Sequence, residues 1–410
     1  MHKLYIILSY CLIPIVFVNT FIRVLIKKED KNRFKERFGQ STLDKPKNKD
    51  LIWIHAASLG EFKSSDFIIN NYFETYSILV TTTTKAASEY AIKNYSNKII
   101  HQFAPYDILF WINKFLKKWE PKLVIWIESD LWPNTIISLR KKKIKSIFLN
   151  ARISPKSYER WRFFSSYYNY IIQSFSAVFA QSKNDIKRIK SLSNINVQYL
   201  GNLKLSKKKY ISFDSNTSQN TRIMIASTHD NEEKIILPYL EIVAKKYPLC
   251  EFIIVPRHPE RSSRIFDLLK SRNLEVNYYS KKINENCKFI IIDSFGKMDE
   301  CFFKSDIVFL GGSFTKNGGH NPIEAARAQC AIITGPNVFN WQNLYEEMNE
   351  NKACYMIKKP KELEVIISKF IENNNLLKNY KDNALNYSNK TFFEEQKLIE
   401  ILNKSLENHA

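Results

Sequence analysis

Short apolar runs alternate with longer amphipathic stretches from residue 51 to residue 334, and this pattern organises most of the chain. The runs are rich in β-branched residues, whereas the stretches between them carry apolar residues at helical spacing. Such alternation predicts parallel β-sheets with helices on both faces. The predicted strands lie at 51–55, 77–81, 98–102, 123–127, 146–149, 177–180, 197–200, 222–226, 252–255, 288–292, 307–310 and 331–334.

A polar stretch rich in Lys, Ser and Asn interrupts the alternation after residue 205, and the pattern then starts again. We interpret this stretch as a linker between two doubly wound, Rossmann-like α/β domains, whose ligands would bind outside the carboxyl ends of the strands. The predicted segments are a membrane anchor with its basic juxtamembrane residues (1–40), a first domain (41–205), a linker (206–220), a second domain (221–385) and a C-terminal helix (386–410).

Residues 4–22 carry no charge, and this length is close to the roughly 20 residues that a membrane-spanning helix needs. Pro14 and Asn19 are unfavourable in such a helix. Basic residues that follow an apolar segment stay on the cytoplasmic side and bind anionic lipid head groups. We therefore predict an anchor that either spans the membrane or lies in its interface, the alternative being a buried N-terminal helix. The basic residues are Lys27, Lys28, Lys31, Arg33, Lys35 and Arg37.

Composition narrows the functional classes. The net charge of +21 favours anionic partners such as phosphates, acidic lipids or nucleic acid, unless it only reflects a Lys-rich composition throughout. The six cysteines show no C-x-x-C spacing, which indicates reduced thiols and neither a disulfide framework nor a zinc site. The chain contains no Asp-x-Asp, so a metal-bridged diphosphate site is disfavoured.

The segment 311–326 concentrates the unusual residues of the chain. Only 9 of the 410 residues are glycine, and four of the nine lie at positions 311, 312, 318 and 319. Either the backbone needs φ > 0 there or a ligand comes close, unless these are ordinary turn glycines. Asn321, Pro322 and Glu324 have the order of an N-cap, a first helical residue and a capping acid. A strand, a glycine loop and a helix N-terminus together predict an anion-binding corner.

Polar side chains also follow the strands of the first half. Glu61, after a glycine turn, is either a general base or a carboxylate that stabilises a helix N-terminus. Glu128 lies beside Asp130 and Trp132, an arrangement that indicates a shaped site. Lys204 either stabilises negative charge that develops in a transition state or is a solvated lysine of the linker.

Two further strand ends of this half carry donors. Arg152 offers a donor-rich fork for an anion. The hydroxyls of residues 81–84, Thr82 among them, either bind a polar acceptor or cap a helix.

In the second half, Arg257 follows a predicted strand and suits a phosphate or carboxylate, the alternative being a surface ion pair. The turn of Phe295, Gly296 and Lys297 can present backbone amides to a base or a phosphate. Glu324 either accepts hydrogen bonds from ribose hydroxyls or only caps its helix.

Seven short motifs occur in one order, at 55–61, 128–134, 150–154, 201–204, 226–233, 255–261 and 318–326. Together they resemble the 3-deoxy-D-manno-octulosonic acid (Kdo) transferases of lipopolysaccharide synthesis, over nearly the whole chain. The resemblance implies a GT-B fold with two Rossmann-like domains facing a central cleft. It also implies transfer of Kdo from CMP-Kdo to the lipid A precursor lipid IVA at the cytoplasmic face of the inner membrane, without metal or cofactor. Anionic phospholipid would be a further partner, and nucleic acid would not.

The resemblance also assigns roles to residues. Glu61 would be the general base, and Glu128 and Lys204 would stabilise the transition state. The residues implied to contact CMP are Pro256, Arg257, Phe295, Gly296, Lys297, Asn321, Pro322, Ile323 and Glu324. We predict acceptor or Kdo contacts for Ser58, Gly60, Thr82, Arg152, Gly318, Gly319 and His320.

The chain departs from the family pattern at two of these places. The family usually has an acid directly after a Lys-Phe pair, whereas this chain has Ser206 after Lys204 and Leu205. Lys297 stands where an acid is common.

Two alternatives remain at the level of the sequence. The chain could be another GT-B glycosyltransferase or a nucleotide-sugar epimerase, which preference for uridine over cytidine nucleotides would indicate. It could also be a membrane-tethered nucleic-acid-binding protein, which steeply salt-dependent DNA binding would indicate. The α/β alternation and the scarcity of clustered base-stacking aromatics favour the transferase.

Overall fold

Each half of the chain builds a seven-stranded sheet whose strand pairs are all parallel. The computed structural model describes residues 1–46, 48–128, 130–205, 220–281, 287–391 and 393–407. The chain divides into two compact units, Met1–Lys207 together with Phe392–Ala410, and Lys208–Thr391. The predicted linker lies outside the described residues except for Asn220.

The first sheet has the order β3-β2-β1-β4-β5-β6-β7. Its strands are β1 Leu51–His55, β2 Ser77–Thr82, β3 Ile100–Phe103, β4 Leu123–Ile127, β5 Lys145–Ala151, β6 Ala177–Ala180 and β7 Val197–Tyr199. The helices of this region are α1 His2–Cys11, α2 Ile13–Leu25, α3 Leu59–Ser64, α4 Asp66–Tyr72, α5 Lys85–Tyr95, α6 Leu109–Trp119, α7 Pro133–Lys141, α8 Pro155–Arg162, α9 Ser165–Ile172 and α10 Lys183–Leu192. Short 3-10 turns cover Phe34–Phe38 and Leu203–Leu205.

The second sheet has the order β10-β11-β9-β8-β12-β13-β14. Its strands are β8 Arg222–Thr228, β9 Glu251–Pro256, β10 Val276–Tyr278, β11 Phe289–Ile291, β12 Ile307–Leu310, β13 Ala331–Thr334 and β14 Tyr355–Met356. The helices are α11 Glu232–Lys246, α12 Ser262–Lys270, α13 Met298–Phe303, α14 Ile323–Arg327, α15 Gln342–Glu350, α16 Glu362–Glu372 and α17 Asn374–Lys390, with a 3-10 turn at Pro259–Arg261. The last helix, α18 Glu395–Glu407, belongs to the first unit. The predicted limit at residue 385 falls inside α17.

Both faces of the first sheet are buried, which explains its continuous apolar strands. Along β1, Trp53 packs into one core layer, whereas Ile52 and Ile54 pack into the layer on the opposite face. Because side chains alternate across a strand, each face receives every second residue. The strand pattern of the sequence is therefore confirmed, including the bounds of β1, β4, β6, β12 and β13.

The N-terminal segment forms a bent pair of helices. Among the described residues, none of the helices alone has the length and hydropathy of a membrane span. The two helices α1 and α2, with a bend of 52° between them, have that length and hydropathy only when they are taken as one segment. One side of the pair packs against the rest of the first unit. There the Tyr5 hydroxyl donates a hydrogen bond to Asp107 at 3.0 Å, and the Phe17 ring stacks on the Phe38 ring with centroids 4.5 Å apart. The other side is exposed and apolar, with Leu4, Ile7, Leu8, Leu12, Ile15, Val18, Phe21, Ile22 and Leu25.

The basic residues after α2 do not all face solvent, contrary to the expectation that they form one lipid-binding group. Arg37 is buried and donates to Glu29 at 3.0 Å and to the carbonyl of Thr83 at 2.7 Å. Arg33 forms an ion pair with Glu36 at 3.0 Å. These two arginines therefore hold the segment against the first sheet. The exposed basic residues are Lys27, Lys28, Lys31 and Lys35.

Candidate active site

Glu61 lies at the start of α3, just beyond the carboxyl end of β1. Its Oε2 accepts hydrogen bonds from the backbone N–H groups of Ala57, at 2.6 Å, and Ser58, at 3.4 Å. The Ser58 hydroxyl in turn accepts from the Glu61 N–H at 3.3 Å, which completes a capping box. The other carboxylate oxygen, Oε1, accepts no hydrogen bond from the described residues. Glu61 therefore caps its helix with one oxygen and leaves the other for a proton.

The pKa of Glu61 is raised to about 7, mainly because the carboxyl is buried and also because Glu128 and Asp130 carry like charge. Only 6% of the residue is exposed to solvent. The hydrogen bonds from Ala57 and Ser58 oppose this rise without cancelling it. A carboxylate with a pKa near neutrality is suited to accept a proton during catalysis at physiological pH.

Glu128 and Lys204 form a close ion pair. Lys204 Nζ lies 2.6 Å from Glu128 Oε1, and Asn150 Nδ2 donates to the same oxygen at 3.3 Å. Asn150 also accepts from the Leu203 N–H at 3.0 Å, so it holds the turn that carries Lys204. Glu128, directly after β4, and Asn150, within the last residues of β5 where the pairing with β6 is irregular, have φ of +66° and +57°. Lys204 is thus an ordered partner of Glu128 and not a solvated linker lysine.

Other candidates of this unit are committed to internal contacts. Thr82 is fully buried and its hydroxyl bonds to His101 Nε2 at 2.9 Å, so it is not presented to an acceptor. His55 is fully buried and contacts Trp126, with ring centroids 4.0 Å apart and ring planes tilted by 33°. Burial and Arg37 lower its pKa to about 3. The Arg152 N–H donates to the Glu128 carbonyl at 3.3 Å, which ties the ends of β4 and β5 together.

The glycine loop after β12 wraps an internal carboxylate. Glu232 is fully buried and accepts from the N–H groups of Gly312 at 2.6 Å, Ser313 at 2.9 Å and Phe314 at 2.9 Å. It also accepts from the His229 N–H at 3.2 Å. The predicted anion-binding corner therefore exists, but its anion comes from this chain. Nothing in the sequence separated Glu232 from the many acids that open helices.

The predicted capping pattern after this loop is wrong in its details. The helix begins at Ile323, one residue later than expected, and Pro322 occupies the N-cap without a side-chain hydrogen bond. Asn321 instead accepts through Oδ1 from the Ile323 N–H at 3.1 Å. At Gly318, whose φ is +83°, a Cβ would lie 2.5 Å from the Phe339 ring, so a side chain there would be strained and would require that ring to move.

The candidates for nucleotide binding lie at strand ends of the second unit. Arg257 is exposed after β9, and in the region of the chain that the structure describes its side chain has no carboxylate partner. Gly296 has φ +85° and open space around its Cα, beside Phe295, which is 79% exposed. Lys297 pairs with Glu300 at 3.1 Å. Asn321 and Glu324 are partly exposed, whereas the side chains of Pro256, Pro322 and Ile323 are buried and leave only backbone for a ligand.

No group of three His, Cys, Asp or Glu side chains among the described residues is placed to hold a metal ion.

Comparisons with known proteins decide the family. A family model described as 3-deoxy-D-manno-octulosonic-acid transferase (kdotransferase) matches residues 32–207. A 3-deoxy-D-manno-octulosonic acid transferase of Rickettsia bellii is 35% identical and covers 98% of this chain and 99% of its own length. The chain belongs to the Kdo transferase family.

Solved structures show the fold of this Kdo transferase. A glycosyltransferase from Rickettsia africae matches with a TM-score of 0.54 and 15% identity, over 88% of this chain and all of that one. A UDP-GlcNAc 2-epimerase from Neisseria meningitidis matches with a TM-score of 0.57 and 14% identity, over 87% of this chain and all of that one. The GT-B class expected from the sequence is confirmed.

Proposed function

We propose that this Kdo transferase moves Kdo from CMP-Kdo to a hydroxyl of the glucosamine disaccharide in lipid IVA, with inversion at the anomeric carbon and without a metal. The single observation that carries the proposal is Glu61, a buried carboxylate whose Oε1 accepts no hydrogen bond from the described residues and whose pKa is raised to about 7. A sugar hydroxyl is a poor nucleophile, so a base must take its proton as it attacks.

The ion pair beside Glu61 supports a second role. Lys204 carries the positive charge that can stabilise negative charge in the transition state, and Glu128 at 2.6 Å holds its ammonium in place. The carboxylate of Glu128 also helps to keep the pKa of Glu61 high. Glu128 thus acts on the base and on the cation at once.

Arg257 is the residue of the second unit that best fits a donor phosphate, because it is an exposed cation without a carboxylate partner among the described residues. We expect Arg257→Met to weaken CMP binding about 10- to 100-fold, since a charge-assisted hydrogen bond contributes about 1.5–3 kcal/mol. Isothermal titration with CMP measures this. The matched control is Arg264→Met, which removes an exposed arginine from α12. Equal CMP affinity in the two variants would contradict the assignment.

The bent helix pair supports placement at the cytoplasmic face of the inner membrane. Its exposed apolar side and the four exposed lysines after it have the character of a helix that lies in an anionic lipid interface. Ile15→Glu with Phe21→Glu should abolish flotation with vesicles that contain anionic phospholipid. Leu249→Glu, at a 73% exposed position of the second unit, serves as the control. Flotation that survives the double substitution would exclude this anchor.

The proposed reaction is tested by incubating the purified protein with CMP-Kdo and lipid IVA and by measuring the product mass. We expect a lipid heavier by whole Kdo residues, together with release of CMP. An unchanged lipid mass would reject the proposed acceptor. Comparison of CMP with UMP as thermal stabilisers checks the nucleotide, because only a bound ligand raises the unfolding temperature.

A further inference from the structure

Two imidazole rings of the second unit contact each other through their Nε2 atoms. His229 follows β8 and His320 follows the glycine loop, yet their Nε2 atoms lie 2.9 Å apart. The ring planes are nearly parallel, at 5°, with centroids 5.1 Å apart. At this distance one nitrogen must donate and the other accept, so both Nε2 atoms cannot carry a proton. The pair therefore holds at most one extra proton.

The backbone decides which ring donates. The Ser227 backbone hydrogen-bonds to His320 and raises its pKa, although burial and the neighbouring cations lower that pKa to about 4 overall. A bond that raises the pKa is one in which the ring donates, and Nδ1 is the nitrogen left for it. His320 Nε2 then accepts from His229 Nε2–H. The open position of the pair is consequently Nδ1 of His229.

Buried contacts fix this arrangement. Glu232 binds the N–H of His229 and the N–H of Gly312, so one carboxylate holds both loops. A Cβ at Gly312 would lie 3.2 Å from both rings, so the chain passes directly behind them. Tyr345 donates to the His320 carbonyl at 2.8 Å. These contacts therefore fix the positions of the two rings relative to each other.

The charges around His229 are mainly positive. Burial is the main cause that lowers the pKa of His229. His258 and Arg257 after β9, and Arg261 in the following turn, lower it further. Glu233 on α11 opposes them but is paired with Arg261 at 2.7 Å. An arriving phosphate would reverse this balance, since an anion favours the protonated ring.

Resting on the proposed donor, we infer that His229 is a further catalytic residue, which protonates the phosphate that leaves as CMP, and that His320 positions it. As the acceptor oxygen attacks, the bond between the anomeric carbon and the phosphate oxygen breaks and its electron pair stays on that oxygen. The proton on Nδ1 of His229 moves to the phosphate, while the acceptor's proton goes to Glu61. Solvent then returns one proton to His229 and takes one from Glu61.

The first test compares His229→Gln with the wild-type transferase. We expect kcat to fall about 100-fold and the alkaline limb of the pH profile of kcat to disappear. At alkaline pH, where His229 is neutral in the wild-type protein, the affinity for CMP should be unchanged within about threefold. In His320→Gln that limb should move to lower pH, because the acceptor for the His229 proton is lost. The matched control is His258→Gln, which removes an exposed imidazole that has no hydrogen bond to either ring among the described residues. It should keep kcat and move the alkaline limb to higher pH, because His258 lowers the pKa of His229. Unchanged kcat, or loss of CMP binding in proportion to kcat, would overturn the inference.

The second test does not depend on transfer. In protein labelled with ¹⁵N-histidine, CMP should raise the pKa of His229 by about one pH unit or more. A pKa of His229 that CMP leaves unchanged would overturn the proton-donor role. If the wild-type protein binds CMP but leaves lipid IVA unmodified, the proposed acceptor fails while this titration still decides the role of the pair.

Discussion

Glu61→Gln is expected to abolish Kdo transfer and to stabilise the first unit at neutral and alkaline pH. The amide cannot take the proton of the acceptor hydroxyl, so kcat should fall about 10³-fold or more. Burial and the charges of Glu128 and Asp130 raise the pKa of Glu61 from 4.5 to about 7. The stability that protonated Glu61 contributes is complete below pH 4.5 and is lost as the pH rises to about 7. The gain from Gln should grow over that range, to at most about 3 kcal/mol.

Thermal unfolding at several pH values and product mass spectrometry measure the two effects. The control is Glu74→Gln, which changes an exposed carboxylate of the same unit and should alter neither. Asp130→Asn removes one cause of the raised pKa, so the acid limb of kcat/KM should move to lower pH. A Glu61→Gln variant that still transfers Kdo, or a limb that stays in place in Asp130→Asn, would contradict the assignment of Glu61 as the base.

Glu232→Gln is expected to destabilise the second unit by about 3–5 kcal/mol and to abolish CMP binding. The carboxylate accepts four backbone hydrogen bonds from two loops, at 2.6 to 3.2 Å. In Gln one oxygen becomes an NH₂ group that faces two N–H donors, and these are left buried without an acceptor. Both His229 and the glycine loop then lose their common support.

The unfolding transition that CMP shifts to higher temperature reports this unit. The control is Glu241→Gln on the same helix, which removes only a partner of Arg272 at 2.8 Å and should cost about 0.5 kcal/mol or less. An unchanged transition in Glu232→Gln would show that the carboxylate is not the anchor of the two loops.

The parallel sheets could be predicted because their strands are buried on both faces and therefore read as apolar runs. The strands β10 and β14, of three and two residues, were missed because such short runs carry no usable pattern. The amphipathic stretch between β1 and β2 forms two helices, α3 and α4, and the chain turns between them at Ser65, where neither Gly nor Pro marks the break in the sequence.

The residues of the candidate site could likewise be predicted only in part. Glu61, Glu128 and Arg257 could be proposed because a polar residue at the end of an apolar strand stands out along the chain. The pairing of Lys204 with Glu128, the role of Glu232 and the contact between His229 and His320 could not. Each joins residues that are 76 to 91 positions apart, at 2.6 to 2.9 Å. Such distances depend on strand order and loop conformation, which local pattern does not encode.

The packing of α18 affects how the protein is made. Leu398, Leu402 and Leu406 lie in the same core layer as Ile52 of the first unit, and the Tyr72 hydroxyl donates to Asn403 at 2.8 Å. During translation, residues 1–207 leave the ribosome long before α18 does, so the apolar surface that it covers stays open to chaperones throughout synthesis of the second unit. The first half to be synthesised is therefore the last to be completed.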